Sequence, residues 1–96
     1  MAYLKKIVLY CPNGHDARLD SLVEEFIRDG VIFIAVVGKD CSKVEDIIDE
    51  LVVGDGSRDY FMLTSFHPDE SVEEAVKFAK SLTGKFEGKE VQVVEL

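Results

Sequence analysis

Four apolar, strand-like runs alternate with three amphipathic helix signals along this chain, and almost nothing is left over. A strict β-α-β-α-β-α-β alternation permits few folds. Each helix must cross over a sheet to reach the next parallel strand, which gives a single α/β domain with a parallel four-stranded sheet and three helices. Sheets of this kind place ligand sites where the strand C-terminal ends meet the following loops. In this chain those loops hold both cysteines and both histidines.

The local signals are specific. The first strand spans about Tyr3–Tyr10, centred on Ile7-Val8-Leu9. After the loop Cys11-Pro12-Asn13-Gly14-His15, Asp16 is the expected N-cap of the first helix. Leu19, Leu22, Val23, Phe26 and Ile27 make its apolar stripe, and Gly30 supplies the stop. The second strand, Val31–Val37, is continuously apolar, as in a strand covered on both faces. The second helix is expected to start at Ser42 with a capping box to Glu45, and Gly54-Asp55-Gly56 forms a turn after it. The third strand is read over Asp59–Ser65, with Tyr60-Phe61-Met62-Leu63 at its centre. The third helix starts near Ser71, with Glu74 as its box partner. The last strand, Glu90–Glu95, has the mixed pattern of an edge.

For so short a series the expected order is the flavodoxin-like 2-1-3-4. Right-handed crossovers then leave the first helix alone on one face. One helix cannot cover four strands, so an apolar patch beside the first helix is expected, fit for a homodimer contact.

The chain is acidic, with 19 Asp and Glu against 11 Lys and Arg and a formal net charge of -8 in 96 residues. Phosphate backbones are bound through clustered Lys and Arg, so neither nucleic acid nor an anionic membrane surface is an expected partner. No run approaches the roughly 20 apolar residues of a membrane span, and no signal peptide is read at the start. Cys11 and Cys41 form neither a C-x-x-C pair nor a disulfide framework, so they are expected as thiols in a reducing cytoplasm.

In a 2-1-3-4 sheet the switch point lies between the first and third strands. That would set Cys11 near His67, where a histidine could activate the thiol as a nucleophile. Asn13, Gly14, His15, Cys41 and Asp69 complete the candidate binding residues on the same rim. A metal site is not expected, since structural zinc ligands come in closely spaced pairs and only Cys11 and His15 are close. No cofactor is expected either.

Two resemblances bear on function. Lys5-Lys6-Ile7-Val8-Leu9-Tyr10-Cys11-Pro12-Asn13-Gly14 resembles enzyme IIB of the sugar phosphotransferase system, lactose/cellobiose type. That likeness implies the 2-1-3-4 sheet and Cys11 as a phospho-acceptor. The segment after Gly14 departs from it, offering His15-Asp16-Ala17-Arg18 in place of hydroxyls. The stretches Asp40–Glu50 and Met62–Ala75, with Asp40-Cys41-Ser42-Lys43-Val44 and Thr64-Ser65-Phe66-His67, are similar to a small uncharacterised bacterial α/β family. This second likeness implies order and fold without a known activity. The sequence thus points to a non-catalytic protein-binding or regulatory module, with a protein partner or a second copy of itself. A Cys-dependent enzyme or phosphocarrier using Cys11 and His67 is the alternative.

Overall fold

The computed structural model describes residues 3–54, 62–84 and 90–96. Its elements run β1 (Lys6–Cys11), α1 (Leu19–Arg28), β2 (Phe33–Gly38), α2 (Cys41–Val53), β3 (Leu63–His67), α3 (Val72–Lys80) and β4 (Val91–Glu95). All pairings are parallel, and the strands form one four-stranded sheet. The α/β class, the alternation and the parallel sheet are therefore as the sequence implies.

The order of the strands is β3-β2-β1-β4. This differs from 2-1-3-4 in one respect: β3 lies outside β2 instead of beside β1, and β4 takes the place next to β1. The reason is visible in β3 itself. The apolar centre read at Tyr60-Phe61 lies outside the described residues, and the strand proper begins at Leu63. Its sequence Leu-Thr-Ser-Phe-His has only His67 buried, which is the profile of an edge. β1 and β2, nearly continuously buried, take the centre.

Crossover handedness then sorts the helices. β1→β2→β3 steps in one direction, so α1 and α2 share a face, and the reversal from β3 to β4 sends α3 to the other. One core accordingly joins Ile7, Leu9, Ile34 and Val36 to Leu19, Val23 and Phe26 of α1 and Val44 and Ile48 of α2. The second joins Val8, Phe33, Ala35 and Val37 to Ala75 and Ala79 of α3. The solitary helix is α3, where the 2-1-3-4 order would have made it α1.

The ends of the helices are specific. α1 stops where Gly30 turns left-handed at φ +78°, with Gly30 N–H donating to Ile27 and Val31 N–H to Phe26. This is the paired closure that satisfies the last carbonyls. Asp16 accepts from the Arg18 N–H at 2.8 Å, a turn just ahead of the helix rather than a cap on it. The Ser71–Glu74 capping box forms as read. The Ser42–Glu45 box does not: α2 begins at Cys41 after a left-handed Asp40, without a side-chain cap. Glu45 turns to β3 instead, taking the Thr64 hydroxyl at 2.8 Å.

Lys6 is fully buried on the α3 face, and its ammonium donates to the Ala79 carbonyl at 2.7 Å. The last turn of a helix is where a cation is favoured. This lysine therefore fastens β1 to α3.

Candidate functional site

With β1 and β4 adjacent, the sheet's switch point lies between them, on the far side of β1 from β2. The loop after β1 packs over the start of α2. The Cys11 carbonyl accepts from Lys39 N–H at 2.9 Å and from Gly14 N–H at 3.3 Å, and Gly14 sits at φ +76°. Cys11, Gly14 and Cys41 are thus brought together, with Asn13 and His15 exposed on the same loop.

Cys11 is fully buried and Cys41 is 4% exposed, both within the core shared by α1 and α2. Burial, with Cys41 close by, pushes the Cys11 thiol up to about 11. At neutral pH it is a protonated thiol in an apolar setting, which is a weak nucleophile. His67 is not near it. β2 stands between their strands, two strand spacings or roughly 10 Å across, and the two side chains occupy opposite faces of the sheet. Asp69 lies with His67 beyond β3, left-handed at φ +62° and exposed.

His67 has a different set of partners. Its Nδ1 lies 3.2 Å from Glu70 Oε2 and its Nε2 lies 2.8 Å from Ser65 Oγ. Opposite a carboxylate, which only accepts when ionised, a neutral ring carries its proton on Nδ1 and leaves Nε2 to accept from the serine hydroxyl. The ring is 6% exposed and meets the edge of Phe78 at 4.8 Å between centroids. Ser65 and His67 share a face because a strand alternates, and the turn after His67 returns Glu70 to the ring. The connectivity is serine to imidazole to carboxylate. Ser65 and Glu70 carried no assigned role in the sequence reading, although the i, i+2 spacing on a strand was its signal.

A third cluster joins β3 to α2. Thr64 Oγ1 lies 2.8 Å from Glu45 and 2.6 Å from Asp49. A hydroxyl has one hydrogen, so it donates to one carboxylate at a time. Glu45, Asp46 and Asp49 also form the single acidic group close enough for shared metal ligation among the described residues.

A concave feature follows the switch point. α1 covers its neighbours toward α2, leaving the α1-side face of β4 uncapped. A groove of about 290 Å³ runs there, floored by Tyr3, Leu22, Val94 and Leu96. Its rim carries Arg18, Ser21, Glu25 and Glu95. Arg18 is held by Asp16 through two contacts of 2.9 and 3.2 Å. Tyr3 packs edge-on against Phe26 at 4.8 Å, and desolvation together with Glu25 raises its phenol above the usual range. The exposed apolar patch expected beside the first helix is not what stands there: Tyr3, Leu22 and Val94 are half-buried against the core and Leu96 is buried.

The fold and these surfaces define a small parallel α/β protein with a half-open sheet and a side groove at its switch point. Residues 2–96 match the family described as Domain of unknown function (DUF7684), and the chain belongs to that family. No curated protein and no solved structure matches it. The enzyme IIB likeness of the first loop has no counterpart among these matches, and the β3-β2-β1-β4 order and the buried Cys11 both depart from what it implied. No helix among the described residues is long and apolar enough to cross a membrane.

Proposed function

We propose that this protein is a binding module that recognises a protein partner through the groove between α1 and β4. The observation that carries the reading is the groove itself: an apolar floor of Tyr3, Leu22, Val94 and Leu96 inside a charged rim. A helix lying beside α1 would complete the layer over β4, and its apolar stripe would bury that floor. The burial of Cys11 and its distance from His67 shift the balance away from Cys-dependent chemistry. The two free thiols support a reducing compartment, the cytoplasm.

The test is site-specific photo-crosslinking in cells. A photoreactive side chain at exposed Ser21 yields one discrete adduct, and the same group at Lys77 on α3 yields none. Equal adducts at both positions, or none at Ser21, overturn the reading.

A second reading is favoured by the Ser65–His67–Glu70 relay. Ser65 Oγ would add to the carbonyl of an acyl ester while its proton passes to His67 Nε2. That proton then leaves with the departing alcohol, and water, deprotonated by the same nitrogen, releases the acid. Covalent labelling of Ser65 by a fluorophosphonate, lost in His67→Gln, is the expected result. No labelling of the wild-type protein overturns it.

A further inference from the structure

We infer that the groove is occupied by α1 of a second copy of this chain, packed antiparallel about a two-fold axis. The inference rests on the binding-module reading and names its partner. Arg18, Ser21, Leu22 and Glu25 follow helical spacing and form one stripe along the side of α1 that faces the groove. The stripe is self-complementary. A two-fold axis between Ser21 and Leu22 exchanges position 18 with position 25, so the guanidinium at each end meets the carboxylate of the other copy. Closed two-fold contacts need this property, because one patch must fit itself.

Both charges can make that exchange, for Glu25 keeps a second carboxylate oxygen beside the one that takes the Tyr3 hydroxyl at 3.5 Å. The Arg18–Asp16 pair is exposed, with the arginine side chain 70% accessible, and such pairs are weak and easily rearranged. A guanidinium has five donors, so it can keep Asp16 and take Glu25 of the second copy as well. Between the charged ends, Leu22 and the apolar floor of the groove come together. Two chains of net charge -8 repel at a distance. Salt screens that repulsion beyond roughly 10 Å at 0.1 M, while the local pairs at the seam stay closer than this.

The test is the mass in solution by sedimentation equilibrium at micromolar concentration and physiological salt. The wild type is expected at twice the chain mass. Arg18→Glu and Glu25→Arg each set like charges together at both ends of the seam, and each is expected to weaken association about tenfold or more. The double reversal, Arg18→Glu with Glu25→Arg, restores the opposite pairs and with them the dimer. Arg18 is exposed and Glu25 lies on the groove rim, so circular dichroism is expected to be unchanged in all three. A dimer indifferent to both reversals lies on another surface and overturns the inference. A monomeric wild type also overturns it, and the Ser21 crosslink then separates the two ideas. An adduct with a different protein leaves the groove reading standing, and the absence of any adduct removes both.

Discussion

Gly38 ends β2 so close to Cys11 that a Cβ on it would lie 2.8 Å from the Cys11 carbonyl carbon and closer still to its oxygen. The backbone there is at φ +113°, a region L-residues rarely enter. The same carbonyl accepts the Lys39 and Gly14 N–H groups that fold the two rim loops together. Gly38→Ala therefore combines backbone strain with a steric clash against a fixed carbonyl. The expected cost is about 2–4 kcal/mol of unfolding free energy in urea denaturation. Gly84→Ala, also at positive φ but with open space around it, tests the backbone part alone and is expected to cost less.

The thiol of Cys11 supplies a second prediction. Its ionisation is pushed from an ordinary 9.0 up to about 11 by burial and by Cys41. Because the folded value is raised, the contribution to stability is fully present below the unfolded value and is lost as pH rises through the folded one. Stability is thus expected to fall between about pH 9 and pH 11, and less steeply in Cys11→Val. A disulfide reagent at neutral pH is expected to modify neither thiol of the native protein quickly, and both once denaturant is added. Rapid native labelling of Cys11 at neutral pH contradicts the burial and reopens nucleophilic chemistry at that residue.

What the sequence made legible depended on whether the signal was local. Gly30 and the Ser71–Glu74 box closed helix ends as read, because a cap needs only a few neighbouring residues. The α1 stripe of Leu19, Val23 and Phe26 likewise lies in the core. The strand order is not a local property. The 2-1-3-4 order rests on what is commonest for so short a series, whereas Leu63–His67, with only His67 buried, takes the edge outside β2, which exchanges β3 and β4 beside β1. That exchange decided the site. It parted Cys11 from His67, and it opened the groove beside α1 that no local pattern announces. Lys6 shows the same limit, since nothing around a lysine in a strand reveals that a helix terminus will lie above it.

The two helix starts that looked alike in sequence behave differently. At α3 the Ser71 hydroxyl accepts from Glu74 N–H at 3.1 Å and the Glu74 carboxylate accepts from Ser71 N–H at 2.9 Å. At α2 no side chain caps the helix. Ser71→Ala is expected to cost about 1 kcal/mol, and Ser42→Ala only a few tenths. The bonds from Ser71, backbone first and then side chain, hold the Glu74 carboxyl below its usual 4.5. A lowered folded value means the contribution is present above the unfolded one and lost as pH falls through it. The penalty of Glu74→Ala is therefore expected to shrink in unfolding measurements made below pH 4.5, while that of Ser71→Ala, whose hydroxyl takes the non-titrating Glu74 N–H, is largely kept. Equal penalties at the two serines would contradict the difference in capping.

The last prediction concerns the hold of α2 on the edge strand. Thr64 stands between Glu45 and Asp49, which lie one helical turn apart on α2. Its hydroxyl is the donor these acceptor-only groups receive from β3. Thr64→Val keeps the shape and the strand preference but removes that donor, leaving two carboxylates against a methyl group. The expected loss is about 1–2 kcal/mol. Substituting one acceptor by its amide restores a donor, so Thr64→Val combined with Asp49→Asn is expected to recover part of the loss. A double-mutant cycle on Thr64 and Asp49 isolates the coupling, expected at about 0.5–1.5 kcal/mol. Strict additivity would show that the hydroxyl contributes nothing beyond its shape, and that β3 is held to α2 by apolar packing alone.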